Sequence, residues 1–191
     1  MVVARAQEII DQAADERRPF VEWVRSVPGE AWSRTSPGGA WQARDYVAHL
    51  AAIDPLLTAW FRSFQRPPSG ESRPASAFSI DDWNEEQIVA RRGEAIEDLL
   101  EEMAAHRIEM NAALAGFTDE QLDREIHFGG DNKRSPRDLP LLQFLSGWVY
   151  HDRWHTEDAR RAIAGEPEQP FGDEAFERML QGRAGSSGAA R

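Results

Sequence analysis

The sequence predicts an all-α fold: a four-helix bundle with irregular loops and a small C-terminal helix. Three observations lead there. Four long segments carry apolar residues at three- and four-residue steps, Pro-, Gly- and Ser-rich stretches separate them, and no strand of convincing length competes. Four amphipathic helices of this kind bury their apolar stripes best against one another.

The first segment runs from about Val3 to Val27, with Ile9, Ala13, Phe20 and Val24 on one side and charges on the other; Pro28 and Gly29 end it. Residues 33–40 (SRTSPGGA) are a turn-rich connection. The second segment, about Trp41 to Phe64, places Tyr46, His49, Ile53, Leu56, Leu57 and Trp60 on one face. Pro55 removes one helical hydrogen bond, and a kink is expected just after His49. Residues 66–77 (RPPSGESRPASA) read as a loop.

Ser79 or Asp81 caps a third helix that is expected to reach Ala115, weakened at Gly93 and closed by Gly116. Its apolar side is Leu99, Leu100, Met103, Met110, Leu114 and Phe117. Residues 118–123 suit a short helical turn capped by Thr118, and 124–136 read as irregular, with GGDN able to turn a short hairpin. The fourth long helix is expected from about Pro136 to Ala164, capped by Ser135 and stopped by Gly165. Residues 173–181 suit a small amphipathic helix. Residues 1–182 are expected to form one bundle domain, and 183–191 a flexible tail.

Composition narrows the function. With 41% hydrophobic and 29% charged residues over 191 positions, the chain reads as an ordinary globular protein. It has no cysteine, so disulfides, thiolate metal sites and a cysteine nucleophile are excluded. Its formal charge of −11 repels phosphate backbones and anionic lipid, so neither nucleic acid nor membrane is an expected partner. The first ten residues do not resemble a signal peptide, and a cytoplasmic location is the expectation.

The segment WVYHDRWHTEDARR, residues 148–161, carries the chemistry. His151 and His155, one helical turn apart, share a face and continue the inward stripe of Phe144 and Trp148. His49 lies on the inward stripe of the second helix, so three imidazoles from two helices can converge on one divalent ion and leave a coordination position open. A lone histidine on an apolar face is more often a packed core residue, but three on inward stripes favour metal over packing. His106, beside Met103 and Met110, reads as packing and His127 as a loop residue. Asp54, Asp152, Glu157 and Asp158 flank the ligands; a carboxylate can fix the tautomer of a ligand histidine, though solvation is the ordinary fate of helical acids. Arg153, Arg160 and Arg161 lie near the site in sequence but mostly off the ligand face. Trp23, Trp60 and Trp148 look like core, and Trp41 and Trp154 like pocket walls.

Together, WQARDYVAHLAAID (41–54), DDWNEEQ (81–87) and HDRWH (151–155) resemble the DinB-like metal-binding bundle superfamily, over roughly residues 1–165. That superfamily includes the mycothiol-dependent maleylpyruvate isomerase N-terminal domain and the bacillithiol transferases. The resemblance implies an up-down-down-up bundle with one zinc or nickel ion held by His49, His151 and His155. It further implies a low-molecular-weight thiol as co-substrate, a small electrophilic substrate, and homodimers. The chain is expected to lack the additional C-terminal domain of full-length maleylpyruvate isomerases, so isomerisation itself is not the expected reaction. The leading expectation is a metal-dependent thiol S-transferase. The alternatives are a metal-dependent hydrolase of reactive metabolites and a non-enzymatic metal- or ligand-binding stress protein.

Overall fold

The computed structural model describes residues 1–66, 79–130 and 133–181. The expected loop over 66–77, beyond Arg66, and the expected tail over 183–191 lie outside the described residues, as do Asp131 and Asn132 of GGDN. The described chain is all-α apart from one small two-stranded sheet. Helix α1 (Ala4–Ser26) is followed by a 3-10 turn over Gly29–Ser33, then α2 (Ala43–Phe64), α3 (Ile80–Arg91), α4 (Ile96–Ala115) and the single turn α5 (Asp119–Leu122). Strands β1 (Glu125–Phe128) and β2 (Arg137–Pro140) lead into α6 (Leu141–Val149), α7 (His151–Ala164) and α8 (Asp173–Leu180).

Four of these form the bundle. Helix α2 packs against α4 and α7, and α1 packs against the same two, so α1 and α2 stand diagonally across the core. Of the stripes read from the sequence, Phe20, Leu99, Met103, Leu114 and Phe144 are fully buried, and Leu50, Phe61 and Leu145, which lie outside those stripes, join them. The starts are capped as their residues allow. Gln42 and Asp45 form a reciprocal box at α2, Ser79 Oγ accepts from the Asp82 amide at α3, and Thr118 and Gln121 form a second box at α5. Gly165 closes α7 in the left-handed conformation, φ 72°.

Two long helices of the sequence reading are each divided. The third is broken between Arg91 and Ile96: Gly93 disfavours helix there, and Ala95 turns extended (ψ 151°) to start α4 afresh. The fourth begins at Leu141 rather than Pro136. Pro140 excludes the helical conformation at the residue before it, and Arg137–Pro140 instead pair with Glu125–Phe128 in an antiparallel ladder. The hairpin suggested by GGDN is therefore present, and Gly130 (φ 74°) permits it: a Cβ there would lie 2.6 Å from the Arg134 carbonyl. A second interruption falls at Tyr150, whose N–H bonds to the Gly147 carbonyl three residues back rather than four.

Helix α2 runs through Pro55 as one element. The carbonyl that Pro55 cannot serve, that of Ala51, accepts instead from His106 Nδ1 at 2.9 Å. That bond accounts for His106, which takes no part in the histidine cluster described below.

Candidate metal centre

His49 lies in the second turn of α2, and His151 and His155 occupy the first and second turns of α7. The stripe on each helix turns these side chains inward, where the packing of α2 on α7 brings them together. His151 Nε2 lies 3.4 Å from His49 Nε2 and 3.1 Å from His155 Nε2. One ligand atom from each residue falls within 4.8 Å of the other two. A tetrahedral ion with metal–nitrogen bonds of about 2.0–2.1 Å holds its nitrogens roughly 3.3 Å apart. The residues present therefore fit one ion of that kind.

The electrostatics agree. His49 and His151 are buried, and burial drives both imidazoles well below their ordinary pKa, with repulsion from His155 acting in the same direction. Neutral imidazole is the form that ligates a metal. His155 Nδ1 is 3.3 Å from Asp158 Oδ2, and Asp158 Oδ1 in turn accepts from Gln169 Nε2 at 3.1 Å. Asp158 thus places a carboxylate beside the outer nitrogen of His155, while Nε2 faces His151.

A cavity of about 420 Å³ opens on the cluster. Trp41 lies against His49 (5.3 Å between ring centroids), Tyr46 stacks on His155 (5.8 Å), and Trp148 meets His151 edge-on (5.0 Å). Trp60, Trp154 and Phe171 complete its aromatic lining. The Tyr46 hydroxyl donates to Glu168 Oε1 at 2.7 Å, and burial first, then that carboxylate, pushes its pKa up.

A family model described as the DinB superfamily matches residues 12–159, which include all three histidines. The chain belongs to the DinB superfamily. The DinB-like resemblance read from the sequence is thereby borne out, and with it the all-α bundle. No curated protein and no solved structure gave a significant match.

The remaining candidate residues of this DinB-superfamily chain fall elsewhere. His127 is not in a loop but in β1, where its Nδ1 meets the Asp138 carboxylate opposite at 2.7 Å. Asp54 and Asp152 are not solvated: both are buried and bound by arginines. Glu157 pairs with Arg161 at 3.2 Å. Arg153 pairs with Glu16 and Arg160 lies over Trp23, so neither provides a basic wall to the cavity. Trp60 and Trp148, read as core, are half-buried and line the cavity. The sequence reading also missed Arg134, which lines the cavity, is 7% exposed and lies 4.9 Å over the Phe128 ring. It belongs to no helical stripe, so periodicity gave no signal for it. Among the described residues, no helix is long and apolar enough to cross a membrane.

Proposed function

We propose that this chain is a metal-dependent thiol S-transferase that joins a small thiol to an electrophilic molecule, with His49, His151 and His155 holding one zinc or nickel ion. The observation that carries the reading is the convergence of three imidazole nitrogens, 3.1 and 3.4 Å apart along the chain of contacts, at an aromatic cavity of about 420 Å³. A bound divalent ion with an open position lowers the pKa of a thiol or water placed on it. The protein's own residues prepare the site. Burial disfavours charge on His49 and His151, and Asp158, held by Gln169, stands beside the outer nitrogen of His155. Trp41, Tyr46 and Trp148 screen the three rings from bulk water and shape the space where both co-substrates meet. The absence of cysteine from the chain requires that the sulfur arrive on a small molecule.

The test is elemental analysis of untagged protein beside the His49→Ala and His155→Ala variants, followed by turnover of a thiol with a model electrophile. About one equivalent of metal in the wild type, lost in both variants together with turnover, is expected. Metal without thiol turnover but with ester or amide hydrolysis would replace transferase by hydrolase. Metal without either activity would leave a binding protein, and no metal after zinc or nickel is added would end the reading.

A further inference from the structure

We infer that the electrophilic co-substrate is a planar aromatic molecule without positive charge, held by its ring faces beside the histidine cluster; this rests on the transferase reading for the ring's role as a substrate, though not for its binding. Aromatic walls flank the cluster on both sides. On one side Trp41 packs on Tyr46 (5.2 Å) and on His49; on the other Trp60 and Trp148 meet at 6.3 Å with Trp148 against His151. Trp154 and Phe171, 5.7 Å apart, form a third aromatic pair on the lining, and Phe171 is the exposed member. Aromatic faces prefer offset or edge contacts with other rings, and such contacts add to what burial alone supplies.

Charge decides between aromatic classes. Aromatic cages also bind cations, and the cavity contains carboxylates as well as rings. Asp81 and Glu85 are ion-paired, to Lys133 and Arg92, while Glu168 and Asp158 hold neutral donors, the Tyr46 hydroxyl and the Gln169 amide. A cation entering here would stand beside Arg134 and the proposed metal, whose charges oppose it. An uncharged planar ring needs none of these groups, only the indole faces.

The experiment is calorimetric titration with 2-naphthol and with decahydro-2-naphthol, which share a hydroxyl and a carbon skeleton but differ in having a π face. It is run on protein as purified, on chelator-treated protein, and on Trp60→Leu and Trp41→Leu variants. The expected result is that 2-naphthol binds at least fivefold more tightly than its saturated counterpart, with and without metal, and that each variant reduces that ratio roughly two- to tenfold. Equal binding of the two alcohols, no binding of 2-naphthol, or an unchanged ratio in both variants would overturn the inference. Tighter binding of a naphthyl trimethylammonium ion would overturn its charge. Because metal content is read separately, selective 2-naphthol binding by a protein that takes up no metal would sink the transferase reading and leave the aromatic site standing. Metal uptake without aromatic selectivity would do the reverse.

Discussion

Arg17 of α1 grips Asp152 of α7 inside the bundle through two hydrogen bonds, Nε to Oδ2 at 2.6 Å and Nη2 to Oδ1 at 2.9 Å. Arg107 of α4 holds Asp54 of α2 in the same way, at 2.8 and 3.2 Å. Cross-contacts of 3.4 Å from Arg17 to Asp54 and 3.2 Å from Arg107 to Asp152 close the four into a box, with one residue from each helix of the bundle. Two positive and two negative charges leave no net charge in the interior. Burial opposes ionisation of Asp152, but the fields of Arg17 and Arg107 outweigh it and hold the carboxyl below its ordinary range. Burial likewise opposes the charge of Arg107, and Asp152 and Asp54 more than restore it.

Breaking such a box by one member leaves a buried charge without its partner, which costs more than the intact box contributes over an apolar core. Arg107→Met should therefore lower stability by about 3 kcal/mol. Adding Asp54→Asn in the same chain rebalances the charge and should recover part of the loss. Urea unfolding of the two variants beside the wild type measures both effects. An Arg107→Met protein as stable as the wild type would show that the box is solvated in solution.

The box was legible in the sequence, and the reading missed it for a definable reason. Arg17 stands four residues after Ala13 and three before Phe20; Arg107 stands four after Met103 and three before Met110. Asp54 stands four after Leu50 and three before Leu57, and Asp152 stands three after Val149 and seven before the buried Ala159. Each is a charge inside an apolar stripe. A stripe search counts only apolar positions, so it passes over ionic ones unless opposite charges are sought in equivalent places on partner helices. The three clustered histidines were found because histidine on a stripe already carries a chemical meaning. The late start of the fourth helix followed from Pro140, whose effect on the residue before it outweighed the capping signals at Ser135 and Pro136. The cavity, by contrast, draws Glu168, Gln169 and Phe171 from the segment between α7 and α8, whose path no periodicity describes.

Pro55 and His106 are coupled through a single carbonyl. Because Pro55 has no N–H, Ala51 oxygen depends on His106 for its hydrogen bond, and Ala51 is fully buried. His106→Ala should cost about 1–3 kcal/mol, the cost of an orphaned buried acceptor together with lost packing. In a Pro55→Ala background the helix supplies its own amide to that carbonyl, and the same His106→Ala change should cost clearly less. A double-mutant cycle by chemical denaturation reads the difference. Strictly additive losses would mean that the two residues do not share the acceptor.

Helix α3 carries Ile80 and Asn84 to the cavity and is tied to α4 by Arg91, which donates to Glu102 at 2.9 and 2.6 Å across the break at Gly93. The Arg91 hydrogen bonds hold the Glu102 carboxyl below its ordinary value of 4.5. A depressed carboxyl stabilises the fold above its unfolded-state pKa, and that contribution is lost as pH falls through the folded one. Arg91→Met should therefore separate from the wild type in urea midpoint at about pH 7, and the gap should narrow as pH falls below the ordinary carboxyl range. A gap that stays constant down to acid pH would assign the loss to packing of the arginine stem instead.

Gly147 sets how closely α8 docks on α6. A Cβ at this position would lie 2.9 Å from Leu180 Cδ2 and 3.3 Å from its Cα. The methyl can rotate away, but the Cα moves only if α8 moves, and α8 carries Met179 on the cavity lining. Two effects oppose one another in Gly147→Ala: alanine favours the helix by about 0.5–1 kcal/mol, and overpacking costs about 1–3 kcal/mol. The contact with backbone decides for overpacking, so a net loss of roughly 1 kcal/mol is expected. Gly93→Ala is the matched control, because a Cβ there meets nothing within 4 Å and its φ is not in the left-handed region. That variant should be neutral or gain up to about 1 kcal/mol through the unfolded state. Urea unfolding of the pair separates the two causes, since a stabilised Gly147→Ala protein would mean that helix propensity governs α6 and that α8 shifts aside without loss.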